Sequence, residues 1–291
     1  MRALIDDLAL RFVGLAGYGE AMKWSMPKGP NRIVCLTEEP TEILYALGES
    51  ARIVGISAYT VRPREAKQTK PVVSAFIQGS VPKIKALEPD LIIGFSDIQA
   101  DLAKDLISAN LPVVIFNQRS IQEILDVVMT IGRLVGQADR ATTLVDGYIQ
   151  RLTQLQSEHA NARRPRVYFE EWDEPTISGI HWVSELIEIA GGIDIFHDRA
   201  MGKSAKARFV TREEIVERAP DVVLASWCGK PFDRQRFVQR PEFDRLPAVR
   251  GNHIVEIPSE IILQPGPACL TDGLDAIDSA LRHWRNADQH P

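Results

Sequence analysis

Two segments of the chain share one pattern of apolar and polar positions. They run from Ile84 to Phe95 and from Ile215 to Ser226. Each begins with a short amphipathic stretch, continues with Pro-Asp, and ends with a short apolar run. Proline lacks the amide donor of a helix interior and disfavours a helical conformation in the residue before it, so each copy predicts a helix that ends there. The apolar run without alternation predicts a parallel strand covered on both faces.

Apolar runs alternate with helical stretches over most of the chain. The predicted strands cover 32–36, 52–57, 91–94, 113–116, 166–169, 222–225 and 253–257. The predicted helices cover 42–47, 121–162 with an interruption near Gly136, 182–190, 212–218 and about 271–284. Strands that alternate with helices predict parallel sheets with helices on their faces.

The spacing of the two copies predicts two similar lobes. Asp90 and Asp221, the aspartates of the copies, are too far apart in sequence for a solenoid repeat. Between them, a helical pattern over about 137–161 has an apolar stripe and would measure roughly 35 Å at 1.5 Å per residue. We therefore predict an α/β fold of two Rossmann-like lobes with parallel-sheet cores, joined by a single long helix, with a ligand cleft between them. The predicted parts are an N-terminal extension (1–31), a first lobe (32–136), the linking helix (137–163) and a second lobe (164–291).

The composition excludes some classes of partner. The chain has 291 residues, a net charge of −5 and a pI near 5.8, so it lacks the basic surface that nucleic acids require. Its first residues mix charged and apolar side chains and do not resemble a secretory signal, and no later segment predicts membrane insertion. As written, we expect a cytoplasmic monomer. A different true start would make a periplasmic or surface-associated location the expectation.

The three cysteines, Cys35, Cys228 and Cys269, predict neither a disulfide framework nor a metal site, because they are few and far apart. We expect buried free thiols in a reducing compartment. Cys228 lies between Trp227 and Gly229, which raises the hypothesis of a nucleophile. No signature around it supplies a base, and the chain has no phosphate-binding glycine loop, so we do not expect an enzyme.

Chemically useful side chains follow the predicted strands. Because ligands of open parallel sheets bind beyond the carboxyl ends of the strands, these side chains predict a binding site. Aromatic rings among amide, hydroxyl and carboxyl groups indicate a large, partly apolar ligand that forms hydrogen bonds. The candidates are Thr37, Glu38, Glu39, Tyr59, Phe95, Ser96, Asn117, Gln118, Arg119, Glu170, Glu171, Trp172, Trp227, Cys228, Pro265 and Gly266.

Several of these side chains have two interpretations. Trp172 and Trp227 end strands, which favours the site, whereas Trp182 opens a helix and fits the core equally well. His181 could be an axial ligand to a metal in a bound chelate, or an ordinary solvated loop histidine. The acidic pairs at 38–39 and 170–171 could accept hydrogen bonds from amides or bind a hard cation, or could stabilise helix N-termini.

These strand-end residues and the long helix resemble the substrate-binding proteins of ABC importers for cobalamin, iron-siderophores and haem. The resemblance extends from Arg32 to Trp284 and is greatest to the cobalamin-binding branch. The segments that carry it are VCLTEEPTE (34–42), YFEEWDEP (168–175), ELIEIAGG (185–192) and QPGP (264–267). It implies non-catalytic binding of a corrinoid between lobes that move little, with cobalamin as ligand rather than catalytic cofactor.

The alternatives are an iron-siderophore or haem protein and, second, a metal- or cysteine-dependent enzyme. Siderophores are usually anionic or hydroxyl-rich chelates that favour basic clefts. The predicted cleft has four glutamates against Arg119 and Lys230, which favours an uncharged, amide-rich ligand.

The resemblance also implies one surface glutamate in each lobe that docks onto arginines of a membrane permease. The corresponding positions lie eight residues before the aspartate of each Pro-Asp copy. They hold Glu213 in the second half and Pro82 in the first. One docking charge is therefore absent, which weakens the expectation of an ABC permease as partner.

Overall fold

A five-stranded parallel sheet forms the first half of the molecule in a computed structural model that describes residues 29–287. The strand order is β3-β2-β1-β4-β5, so the direction of the connections reverses between β1 and β4. That reversal leaves a crevice above the carboxyl ends of these two strands. The strands are β1 (Ile33–Cys35), β2 (Ile53–Ser57), β3 (Val72–Ser74), β4 (Leu91–Phe95) and β5 (Val113–Phe116). The predicted extension, 1–31, lies almost wholly outside the described residues.

Helices connect these strands. The first begins at Glu38, four residues before the predicted start, because Pro40 falls in the first turn, where the absence of an amide donor costs nothing. This places both Glu38 and Glu39 in the first turn of the helix. The helices of this half are α1 (Glu38–Ala46), α2 (Arg64–Thr69), α3 (Val81–Ala86), α4 (Ala100–Ser108) and α5 (Ile121–Leu134).

A second sheet follows, with the order β10-β9-β6-β7 and with β8 beside the start of β6. Strand β6 extends to Asp173, past the predicted end at Phe169, because the antiparallel strand β7 pairs with its last residues. Glu171 and Trp172 therefore lie within a strand and not in a loop. The strands are β6 (Arg166–Asp173), β7 (Thr176–Ser178), β8 (Ile193–Asp194), β9 (Val222–Ala225) and β10 (Ile254–Glu256).

The remaining helices surround the second sheet and connect it to the first. They are α6 (Ala138–Glu158), α7 (His181–Ile189), α8 (His197–Ala200), α9 (Arg212–Arg218), α10 (Arg234–Val238), α11 (Pro247–Arg250), α12 (Ser259–Ile262) and α13 (Leu274–Ala287). A π-helical turn, Cys269–Gly273, precedes α13. Among residues 29–287, none of the helices is both long enough and apolar enough to cross a membrane.

Helix α6 lies between the two sheets in the sequence and has 21 residues. It packs against α5, α7 and the π-helical turn, and its buried side chains include Tyr148, Leu152 and Leu155 of the predicted stripe. These side chains belong to one apolar cluster that reaches both sheets. The α/β fold with two parallel-sheet lobes is confirmed. The exact lobe boundaries and the assignment of α6 as the sole link stay predictions.

The Pro-Asp copy of the first half joins strand β1 to the end of α3. The Asp90 carboxylate accepts hydrogen bonds from the backbone N–H groups of Asn31 and Arg32, at 2.7 and 2.8 Å. In return, Arg32 donates through Nε to the carbonyls of Leu87 and Glu88, both at 3.1 Å. The carbonyls at the helix end are thus satisfied by the arginine that opens the strand.

The second copy makes the same contacts. Asp221 accepts from the backbone N–H of Arg166 at 2.9 Å, and Arg166 Nε donates to the carbonyl of Arg218 at 2.9 Å. In both copies the residue before proline leaves the helical region, as predicted, and is left-handed, with φ of 46° at Glu88 and 40° at Ala219. The repeated sequence therefore encodes a repeated junction between a helix end and a strand start.

We expect Asp90→Ala to lower the free energy of unfolding by about 1–3 kcal/mol, because it leaves two backbone donors without their charged acceptor. Urea denaturation of the ligand-free protein measures this. Asp105→Ala is the matched control, since Asp105 is exposed on α4, and it should change stability by less than about 0.5 kcal/mol. Equal stability of the two variants would contradict the role of Asp90.

Candidate functional site

A loop of the second half contacts the first half near the carboxyl end of its sheet. Gln118 Nε2 donates to the carbonyl of Pro265 at 3.0 Å, and Glu42 accepts from the backbone N–H of Ala268 at 3.1 Å. A Cβ atom added at Gly266 would lie 3.0 Å from the Cβ of Glu39. The loop therefore approaches α1 so closely that glycine is the residue that fits without displacing its neighbour. Pro265 and Gly266 lie in the predicted binding region, but the contacts shown for them are to Gln118 and Glu39 of the first half.

Glu38 and Glu39 are buried where this loop meets α1, with exposed fractions of 7% and 1%. Oε2 of Glu38 and both carboxyl oxygens of Glu39 have no hydrogen-bond partner. Burial raises the pKa of Glu38 to about 7. Burial, and then the charge of Glu38, raises the pKa of Glu39 to about 8; the nearby Thr37 hydroxyl offsets part of that rise without reaching hydrogen-bond geometry. Both groups therefore bind a proton more readily than a free carboxylate does.

Other buried polar atoms at the strand ends also have no partner within the described residues. They include the Thr37 and Ser226 hydroxyls, after β1 and β9, and the Gln118 carbonyl oxygen. Thr37 occupies the N-cap position of α1, but its hydroxyl makes no capping bond. Buried polar atoms normally find partners, so this group of atoms is suited to hydrogen bonding with a ligand.

Arg119 connects several predicted residues of the first half. Its Nη2 donates to Ser96 Oγ at 3.0 Å and to Asp97 Oδ1 at 3.2 Å, and its guanidinium carbon lies 4.9 Å from the centre of the Phe95 ring. Ser96 has a φ of 79°, an uncommon conformation at the carboxyl end of β4. Burial lowers the pKa of Arg119, with smaller effects from charges that include Glu171 of the second half.

The acidic pair of the second half has partners that the sequence pattern does not indicate. Arg208 forms a bidentate ion pair with Glu171, at 2.5 and 3.0 Å. Arg240 forms another with Glu170, at 2.5 and 2.8 Å. Glu170 is fully buried and also accepts a hydrogen bond from Trp227, so it holds the second half together and does not face a ligand. Of the acidic pair predicted at 170–171, Glu170 is therefore a core ion-pair residue, and ligand contact by Glu171 stays a prediction.

The tryptophans differ in their surroundings. Trp182 is 2% exposed and its indole N–H donates to the carbonyl of Ile262 at 2.9 Å, so it is a core residue and not a site residue. Trp227 is also buried. Trp172 is partly exposed, and the ammonium of Lys230 lies 4.2 Å from the centre of its ring and 4.7 Å from that of Trp227. Of the three, only Trp172 is partly exposed.

The thiols also divide into two kinds. Cys35 and Cys269 are buried as predicted, whereas Cys228 is exposed. Burial of its sulfur, and then the charges of Glu171 and Glu38, raise the pKa of Cys228. The exposed thiol therefore stays protonated near neutral pH, which disfavours a nucleophilic or metal-ligating thiolate.

The other predicted residues lie at the edge of the site. His181 is the first residue of α7, half-buried, and Asn117 is exposed after β5. Tyr59 is 53% exposed after β2. Residues 29–287 contain no group of three or more histidine, cysteine, aspartate or glutamate side chains that could hold a metal ion. Axial ligation by His181 to a bound chelate stays a prediction.

Sequence reasoning missed an exposed apolar rim. Ile77 follows β3 and Ile98 follows β4, and both are more than half exposed. With Tyr59 they place apolar surface on three neighbouring loops at the carboxyl edge of the first sheet. A short apolar stretch beside loop residues gives no periodic signal, so only the sheet topology relates these side chains to one another.

Comparison with known proteins identifies the family. The sequence pattern of the periplasmic binding proteins matches residues 33–261. The chain belongs to this family. Family members bind small molecules, work with ABC permeases and are typically periplasmic. A "Vitamin B12-binding protein" of Vibrio parahaemolyticus is 25% identical over 259 residues, which cover 88% of this chain and 90% of that protein.

Solved structures of the family share the fold. The periplasmic vitamin B12 binding protein BtuF of Vibrio cholerae superposes with a TM-score of 0.69 and 23% identity, over 91% of this chain and 100% of that one. The periplasmic heme-binding protein RhuT of Roseiflexus sp. RS-1 superposes with a TM-score of 0.72 and 22% identity, over 87% and 99%. The fold alone therefore does not select a ligand.

The two positions that correspond to docking glutamates are structurally equivalent in this periplasmic binding protein. Pro82 and Glu213 are both the second residue of their helices, α3 and α9, and both are exposed. Ser80 and Thr211 cap these helices in the same way, by accepting the N–H of the third helical residue. The absence of a glutamate at 82 is thus a difference in chemistry and not a shift in alignment. A docking role for Glu213 stays a prediction.

We expect the ligand-free protein to lose stability as pH rises from about 5 to about 8. A carboxyl whose pKa is raised on folding stabilises the fold while protonated, and this contribution disappears as pH passes the folded-state pKa. Glu39→Gln should reduce the loss by roughly 3 kcal/mol, because it removes a charge that must ionise in a buried position.

Thermal or urea unfolding at pH 5, 7 and 9 measures this effect. Glu217→Gln is the control, because Glu217 is exposed on α9. If Glu39→Gln retained the full pH dependence of the unmodified protein, Glu39 would not be the titrating group.

Proposed function

We propose that this protein binds a corrinoid without transforming it, between the carboxyl edges of its two sheets. The observation that carries the proposal is the charge balance of the cleft. Asp97, Glu171 and Asp173 each have a cationic partner, while the pair at 38–39 favours a protonated state. The groups that remain for a ligand are mainly uncharged hydrogen-bond donors and acceptors. A corrinoid, which is apolar in its ring and fringed with amides, matches that capacity, and the name of the Vibrio parahaemolyticus relative supports it.

An anionic haem or siderophore is the second candidate, because a relative of the same fold is named for haem. The carboxylates of such a ligand need free cations. Arg119 is engaged by Asp97, Arg208 by Glu171 and Lys230 by Asp173. A negative ligand would have to compete for these cations, and would also meet Glu38 and Glu39. The corrinoid therefore fits the arrangement of charges better.

A cysteine- or metal-dependent enzyme is the third candidate, and the site supports it least. The raised pKa of Cys228 keeps its thiol protonated, and the charged groups nearest to it, Glu171 and Glu38, are acidic. Nucleophilic catalysis needs the opposite, a thiolate stabilised by a cation or produced by a neighbouring base.

The transport role depends on the two helix starts described above. A permease that recognises one acidic group in each lobe would find Glu213 on α9, but on α3 it would meet Pro82 and Lys83. We therefore propose a monomeric corrinoid binder that either docks through Glu213 alone or acts in the cytoplasm without a permease. A periplasmic location, typical of the family, goes with the first arrangement.

Titration of the purified protein with cyanocobalamin should shift the visible spectrum of the corrinoid and quench tryptophan fluorescence. We expect saturation at one equivalent, with much weaker binding of haem and of a ferric hydroxamate in the same assay. Trp172→Leu should reduce the quenching, because Trp172 is partly exposed, whereas Trp182 and Trp227 are buried. No response to any corrinoid would rule out the proposal.

Cys228→Ser should leave the affinity for cyanocobalamin within about threefold of the unmodified value, since a protonated thiol and a hydroxyl differ little as hydrogen-bonding groups. The visible spectrum of the bound corrinoid should also be the same in both proteins. A changed spectrum would indicate direct coordination of cobalt by sulfur.

A further inference from the structure

Glu38 and Glu39 differ from the other acidic groups of the cleft in having no cation beside them among the described residues. Glu171 has Arg208, and Asp97 has Arg119. Three of the four carboxyl oxygens of the pair are buried and lack a hydrogen-bond partner. A buried acidic pair without a cation is costly, so it holds a proton or awaits a ligand that compensates it.

The groups packed around the pair do not supply that compensation. Cys35 lies beneath it on β1, and Cys228 and Cys269 approach from the second half. Burial raises the pKa of Cys35 and of Cys269 to about 12, and also raises that of Cys228, so all three thiols stay neutral near neutral pH.

The remaining charged neighbour is Glu42, one turn further along α1. It is engaged by the guanidinium of Arg62 at 3.1 Å and by the backbone N–H of Ala268 at 3.1 Å. Arg62 in turn also contacts Asp272 at 2.7 Å. The guanidinium of Arg62 is therefore shared by Glu42 and Asp272 and is not available to Glu38 and Glu39.

A protonated carboxyl group has a definite hydrogen-bonding pattern. It offers one O–H donor and one carbonyl acceptor. A primary carboxamide offers the complement, one carbonyl acceptor and two N–H donors. A carboxylate on the ligand would be repelled, and an alkyl group would leave the buried oxygens unsatisfied. A carboxamide therefore matches the pair best among the groups that fringe a corrinoid.

We propose that Glu38 and Glu39 form the subsite for a primary carboxamide of the ligand. The inference rests on the proposed corrinoid binding and specifies how the ligand is recognised. Glu38 makes the contact, because it keeps 7% of its surface exposed and lies near the exposed Cys228. Glu39, which is 1% exposed against Gly266, acts through Glu38 as a positioning residue.

The experiment measures the affinity for cyanocobalamin between pH 6 and pH 9 by tryptophan fluorescence or calorimetry. The same measurements use cobyrinic acid, a corrinoid with carboxylates in place of the carboxamides. The variants are Glu38→Gln, which keeps a donor and an acceptor but cannot titrate, and Glu38→Leu, which keeps neither. Glu217→Gln is the control on the exposed face of α9.

For the unmodified protein and the control, we expect the affinity for cyanocobalamin to fall about tenfold for each pH unit above the pKa of Glu38, which is about 7, because the donor proton is lost. Glu38→Gln should bind within threefold of the unmodified protein at pH 6 and show a flat profile. Glu38→Leu should bind at least tenfold more weakly. The unmodified protein should prefer the carboxamide ligand by at least tenfold, and Glu38→Gln should reduce that preference.

Three results would overturn the inference and leave corrinoid binding intact. One is a flat profile in the unmodified protein. The second is a pH dependence that persists in Glu38→Gln, which would assign the titration to another group such as Glu39 or Glu42. The third is an affinity that rises with pH, because the pair would then bind a cationic group. If neither corrinoid bound at any pH, both the inference and the proposed function would fail.

Discussion

The contact between an aspartate and the first backbone amide of a central strand determines how each half of this molecule is built. Asp90 in one half and Asp221 in the other accept N–H groups at the start of β1 and β6. The arginine at each strand start completes the junction by binding the carbonyls at the end of a helix. Backbone bonds from Asp90 and Asp221 to the carbonyls of Arg32 and Arg166 then align β4 with β1 and β9 with β6. The register of the central strands therefore depends on these two carboxylates.

The position of the ligand cleft follows from that register. β1 and β4 start in register, and β4 runs two residues further. Thr37, two residues after β1, and Ser96, directly after β4, therefore lie at neighbouring strand ends where the connections reverse direction. In the second sheet the same alignment places Glu170 beside Ala225, so that Ser226 follows at the same edge. The two edges face each other because α6 and the shared apolar cluster hold the sheets together. A core interaction far from the ligand thus decides which side chains can reach it.

The cleft itself combines rigid, satisfied ion pairs with a small unsatisfied group. The bidentate pairs of Glu170 with Arg240 and of Glu171 with Arg208 fix the walls of the second half. Opposite them, burial raises the pKa of both Glu38 and Glu39, and the loop at Gly266 packs closely against Glu39. Paired charges can orient a ligand without adding net charge, and neutral carboxyls can select uncharged hydrogen-bonding groups. This division of roles accounts for a ligand site that is rich in acidic residues and still suited to a neutral ligand.

The local sequence determined seven of the ten described strands, the main helices and the two-part organisation, and it missed the short strands β3, β7 and β8. Apolar runs, the Pro-Asp copies and the α6 stripe report which face of an element is buried, and burial depends on residues within one or two turns. Tertiary structure alone decided which charges are compensated. Arg208 is 37 residues from Glu171, and Arg240 is 70 residues from Glu170. No periodicity relates such positions, which is why the sequence left Trp182 equally suited to core and site and gave no sign that Glu170 is paired with an arginine in the core. The same holds for the pair at 38–39: two adjacent glutamates after a strand have the sequence of an ordinary solvated helix start. Their burial depends on a loop more than 220 residues away in the chain, which approaches them closely because it contains a glycine.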